Sequence, residues 1–146
     1  MSRSEGFRGY VGSRPIKGNR VPQHIQNLVV RHYCETLGLR YLLSTAETAM
    51  EQSFLALRQV VSDISSYQGI VAYSIGQLPE DRCERRQYLK AIVDAGREIH
   101  FAVERIAVRS KADIEYTETI VLLESILPFC ISSEEFKSRM KNSSHH

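Results

Sequence analysis

Six side chains able to hold an anion or a hydroxyl stand close together in "GSRPIKGNRVPQ": Ser13, Arg14, Lys17, Asn19, Arg20 and Gln23. Guanidinium groups beside a helix start favour a phosphate or a carboxylate, because planar forks and free N–H groups point at the same place. Three other short stretches carry similar chemistry. One offers Ser44, Thr45, Glu47 and Thr48, another Ser74 and Gln77, and a third Glu104 and Arg105. Carboxylates, amides and hydroxyls together suit sugar hydroxyls. The serine and the two acids, Ser13, Glu47 and Glu104, are the candidates for catalysis as nucleophile or base. Arg14, Arg20, Gln23, Ser74 and Gln77 are the candidates for holding a substrate.

These stretches share one chemistry only if the fold brings them together. "FRGYV" reads as a strand stopping at Gly12, and a helical face of Ile25, Leu28, Val29 and Tyr33 follows from Pro22 to Gly38. "LRYLLS" (39–44), "GIVAYS" (69–74) and "EIHFAVE" (98–104) read as further strands. Helices are expected over about 54–64, about 80–95, and from a cap at Asp113 to about Leu127. Strands with near-continuous apolar runs alternating with helices predict an α/β fold. It is a single-domain three-layer sandwich with a mostly parallel sheet of four or five strands. One domain over 1–130 and a flexible tail over 131–146 are expected. In such sheets ligands sit beyond the carboxyl ends of the strands, where all four candidate loops fall.

Several classes are disfavoured. "GYVGSRPIKG" lacks the GxGxxG spacing, and GxSxG, HExxH and CxxC are absent, so no cofactor and no metal is implied. The net charge of +2 argues against nucleic acid, although Arg3, Arg8, Arg14, Lys17, Arg20 and Arg31 crowd the first part of the chain. The apolar runs are far short of a membrane span. Cys34, Cys83 and Cys130 are widely spaced and read as reduced thiols of a cytoplasmic protein. His100 lies within an apolar strand and reads as a packed core residue.

Two resemblances extend this reading. "GYVGS", "QHIQNLVVRHYCETLGL" and "YSIGQLPE", in that order over about 8–103, resemble the catalytic domain of serine recombinases. In that family a serine ends the first strand and an S-L-D-R-L-x-R-like segment follows the third. Ser13 stands near the serine's place, but Val11 and Gly12 precede it where an arginine is expected. Gly76, Gln77 and Glu80 stand where an aspartate and two arginines would be. Missing guanidinium groups remove charge stabilisation from phosphoryl transfer, so the resemblance implies a resolvase/flavodoxin-like fold and, by analogy, a homodimer, but not recombination.

"RGYVGSRPIKGNRVPQHIQNLVVRHYC", "GLRYLLSTAETAM", "GIVAYSIGQLP" and "HFAVE" resemble a second family, the sporadic carbohydrate cluster proteins of bacteria. That resemblance implies a role in surface polysaccharide biosynthesis, such as lipopolysaccharide O-antigen. The expected function is therefore a cytoplasmic protein binding or modifying an anionic sugar or nucleotide-sugar. The alternative is a non-catalytic regulatory or interaction module of recombinase-like fold, with DNA binding ranked below both.

Overall fold

The computed structural model describes residues 6–16, 18–47 and 54–130, with backbone alone for 128–130. Lys17, Thr48 and the expected tail from 131 lie outside the described residues.

Among the described residues, five strands form one sheet: β1 (Phe7–Gly12), β2 (Tyr41–Glu47), β3 (Gly69–Ala72), β4 (Glu98–Phe101) and β5 (Ile106–Val108), in the order β2-β1-β3-β4-β5. The first four run parallel, and β5 pairs antiparallel with β4. Four helices connect and follow them: α1 (Gln23–Leu37), α2 (Leu55–Ser62), α3 (Arg82–Asp94) and α4 (Lys111–Cys130). This is the α/β arrangement expected from the alternation of apolar runs.

The period of two along each strand divides the core into two layers. Tyr10, Ile70, Ala72, Ile99 and Phe101 face one side, where Leu57 and Val60 of α2, Leu89 and Ile92 of α3, and Ile114 of α4 cover them. Phe7, Val11 and Val71 face the other side against Val30, Tyr33 and Cys34 of α1. Burial pushes the Cys34 thiol up to about 11, which keeps it a packing group rather than a thiolate. No helix among the described residues is long and apolar enough to cross a membrane.

The structure corrects the local reading in four places. The buried stripe of α1 is Gln26, Val30, Tyr33 and Cys34, while Ile25 and Leu28 are 39% and 59% exposed. The helix is turned by the Gln26 amide, which bonds to the end of β1. Next, β2 continues to Glu47, because pairing with β1 runs from Phe7↔Tyr41 to Gly12↔Glu47. It is an edge strand, with Leu43 76% exposed, not a buried one. The fourth strand stops at Phe101, and the chain turns back through Arg105 (φ 56°) into β5. Finally, α4 starts at Lys111, where the Ser110 hydroxyl accepts from the Asp113 N–H at 3.3 Å, so the capping side chain is Ser110.

Two glycines set the geometry at the start of the sheet. A Cβ on Gly9 would lie 2.1 Å from Ser44 Oγ, so β1 and β2 approach only because Gly9 has none. Gly38 takes φ 68° and closes α1 by donating its N–H to the Cys34 and Glu35 carbonyls.

Candidate functional site

From β1 the chain passes to β2 on one side, and β3 lies on the other. The crevice at this reversal opens beyond the carboxyl ends of β1 and β3, the place where open α/β sheets hold ligands. The β1–α1 loop folds over it. Ile16 and Asn19 exchange backbone hydrogen bonds at 2.7 and 3.0 Å around Gly18, which has φ 80°. This tight turn delivers Arg20 back beside Ser13.

The buried amide of Gln26 anchors the loop. Its Nε2 donates to the Gly12 and Val21 carbonyls at 2.7 and 2.8 Å. Its Oε1 accepts from the Gly12 N–H at 3.0 Å and from Gln77 Nε2 at 2.7 Å. Both donor hydrogens and both acceptor positions are therefore used, as a fully buried amide requires. Gln77 continues the network, its Oε1 accepting from the Tyr73 and Ser74 N–H groups at 3.1 and 3.3 Å. Gln26 was not among the sequence candidates. Its signal was a polar residue on the same helical face as Val30 and Tyr33, legible only once that face is known to be the buried one.

The eight candidates fall into three groups. Ser13, Arg20 and Gln23 meet at a shallow surface depression with Val21 and Pro22. There Gln23 Nε2 donates to Ser13 Oγ at 2.6 Å. Ser13 is exposed, and its own hydroxyl hydrogen remains available to a ligand.

Arg14, Glu47 and Gln77 belong to a second, larger cavity on the other side of the β1 end. The Arg14 guanidinium lies 4.1 Å from the centroid of the Phe54 ring, a cation–π contact. Glu47 is buried, and three donors converge on its carboxylate. Tyr10 Oη donates at 2.9 Å, and the Ala56 and Leu57 N–H groups donate at 3.1 and 3.0 Å. Those amides belong to the first turn of α2, where a carboxylate is favoured by unpaired N–H groups and the helix dipole. Burial, followed by the Glu47 charge, pushes the Tyr10 phenol far above its ordinary pKa, so it stays a donor.

Ser74 and Glu104 form the third group, bonded to each other. Ser74 Oγ donates to Glu104 Oε2 at 2.8 Å, and Glu104 Oε1 accepts from the Ile75 N–H at 2.9 Å. Ser74 Oγ also accepts from the Gly76 N–H at 3.1 Å, capping the 3₁₀ turn Ile75–Gln77. The structure thus separates what the sequence placed in one cleft. Among the described residues, no group of His, Cys, Asp and Glu is arranged to hold a metal ion.

No protein-family model and no curated protein matches the sequence. Solved structures do match the fold. One is the N-terminal catalytic domain of TP901-1 integrase, at 13% identity and TM-score 0.56, covering 82% of this chain and 95% of that one. Another is a resolvase family site-specific recombinase from Streptococcus pneumoniae, at 10% identity and TM-score 0.60, covering 94% and 95%. These likenesses overturn the expected role in surface-carbohydrate and O-antigen biosynthesis, and with it the sugar or nucleotide-sugar ligand. The fold shared here is that of an integrase and a site-specific recombinase, and no matching relative carries a carbohydrate role. The chain has the fold of a resolvase-like catalytic domain.

Proposed function

We propose that this protein is a DNA-binding domain that grips a backbone phosphate where Ser13, Arg20 and Gln23 meet. One observation carries the reading: Gln23 Nε2 donates to Ser13 Oγ at 2.6 Å, which leaves the hydroxyl of the exposed Ser13 to donate to a ligand beside the exposed Arg20. A hydroxyl donor beside a guanidinium is an ordinary pair of phosphate contacts. The solved structures of like fold, an integrase and a recombinase, support DNA as the bearer of that phosphate. This replaces the expectation, drawn from net charge, that nucleic acid is disfavoured; a local basic group is enough for backbone contact.

In this reading Ser13 is a binding group rather than a nucleophile. Gly12 precedes it, and Arg20 is the single cation lining the depression among the described residues. Gln77 and Ser74 hold the β3 end, while Glu47 and Glu104 hold α2 and the 3₁₀ turn instead of moving protons. Arg14 serves the second cavity. Residues 1–130 act as one domain, with 131–146 as a tail, in a cytoplasmic homodimer.

The test is fluorescence anisotropy on a labelled duplex across a salt series. Wild type should bind with a salt-dependent affinity. Removing one cationic partner of a phosphate should reduce the log–log slope by about 0.9, so Arg20→Ala should show that reduction, and Ser13→Ala a weaker affinity at nearly unchanged slope. Absence of binding at about 10 μM protein in low salt, or an Arg20→Ala variant indistinguishable from wild type, would sink the proposal.

A further inference from the structure

The cavity on the other side of the β1 end has a volume of about 520 Å³, within the range of small-ligand sites. Tyr10 and Glu47 form its floor, and Ile16, Leu78 and Pro79 give it an apolar wall. That wall is closely fitted: a Cβ on Gly76 would lie 2.6 Å from Ile16 Cγ2. Phe54 lies on another side, with the Arg14 guanidinium over its ring. Glu80 and Asp81, both exposed, and the half-buried Glu84 line it toward solvent.

The charge of this lining decides what it can take. Among the described residues, four carboxylates, those of Glu47, Glu80, Asp81 and Glu84, line it beside the single guanidinium of Arg14. An anion would face repulsion on entering, in contrast to the depression at Ser13. The apolar wall favours an alkyl stem, which can lie along it while a charged head stays among the carboxylates. The Phe54 ring shows that this surface already accommodates a guanidinium.

We infer that this cavity binds an organic cation, a guanidinium or primary ammonium head on a short alkyl chain. The head meets Glu80 and Glu84, and the stem packs on Ile16, Leu78 and Pro79. The site is separate from the proposed phosphate grip and does not depend on it.

The experiment uses the full chain without DNA and follows thermal stability and amide NMR shifts. Agmatine supplies the free cation, N-acetyl-arginine amide the same head on a peptide backbone, and glutarate an anionic control. Either cation should raise the melting temperature, as a ligand of the native state must. Binding by both, or by the amide alone, supports the site and shows whether the head is accepted on a peptide. Glu80→Gln with Glu84→Gln should weaken binding about tenfold or more, while Arg20→Ala should bind as wild type does. In wild type, agmatine should shift the Gly76 and Glu84 amides and leave Arg20 unmoved, a readout that survives if the double variant fails to fold. The inference is overturned if neither cation binds at about 10 mM, if glutarate binds equally well, or if the shifts cluster at Arg20.

Discussion

His100 shows how one side chain can tie the interior to solution pH. It is buried in β4, where Tyr33 Oη lies 2.7 Å from its Nδ1 and Glu98 Oε2 lies 3.1 Å from its Nε2. A neutral ring protonated on Nε2 satisfies both, accepting from the phenol and donating to the carboxylate. Arg109 bonds Glu98 in turn, and the Phe7 ring meets the imidazole edge-on at 5.4 Å. Burial lowers the His100 pKa, partly offset by Glu98. The unfolded chain therefore takes up a proton near pH 6.5 that the folded one still refuses. Stability is full above that pH and falls as pH drops, with a slope of up to about 1.4 kcal/mol per unit, until the folded ring titrates too. Urea unfolding at successive pH values should show this fall, and His100→Gln, which keeps a donor and an acceptor, should flatten it. A variant with the wild-type slope would assign the dependence to other groups.

The helices are joined by a buried ion pair. Arg85 of α3 donates from Nε and Nη2 to both oxygens of Glu118 on α4, and both residues are buried. The remaining Arg85 nitrogen donates to the Pro79 and Glu80 carbonyls at 3.1 and 3.0 Å. The guanidinium thus ties three segments: α3, α4 and the loop carrying Pro79 and Glu80 that lines the larger cavity. Removing one partner strands a buried charge, so Glu118→Ala should cost about 3–5 kcal/mol in a denaturant titration. Replacing both, as Arg85→Met with Glu118→Leu, should cost less than the single change, because no charge is left unpaired. Equal losses would mean that the tie acts through packing alone. On the surface nearby, Arg86 pairs with Glu115, an exposed contact that adds little because water competes for it.

On the scale of the whole molecule, α4 carries more exposed large apolar side chains than any other element among the described residues. Leu122, Leu123, Ile126 and Leu127 are between 41% and 57% exposed, and Tyr116 is 57% exposed. Helices with apolar residues around most of their circumference are ordinarily covered on more than one side. Pairing of two copies along this surface is the proposed route to the homodimer. Sedimentation should show a concentration-dependent dimer for the wild type, and Leu123→Glu should shift it to monomer with unchanged helix content. A wild type that remains monomeric throughout the accessible concentration range would remove this assembly.

Much of this architecture is determined locally. The runs "FRGYV" and "GIVAYS" are short, β-rich and bounded by turn residues, so they could be read as strands before their partners were known. Ser13 and Gln23 flank one short βα loop, so their meeting followed from a single connection. Gly38 announced the end of α1 because the left-handed turn there is its own preference. Other features depended on contacts between distant segments. Glu47 became a helix cap because the β1–β2 register brings it to the start of α2, and no local pattern encodes a register. Gln26 looked like any exposed polar residue until the end of β1 and the two loops beside it supplied the four hydrogen bonds that make its burial favourable. The division of one expected cleft into a shallow depression at Ser13 and a carboxylate-lined cavity was likewise tertiary. Polar side chains at strand ends are specified by sequence, but which of them share a space depends on how the loops cross above the sheet.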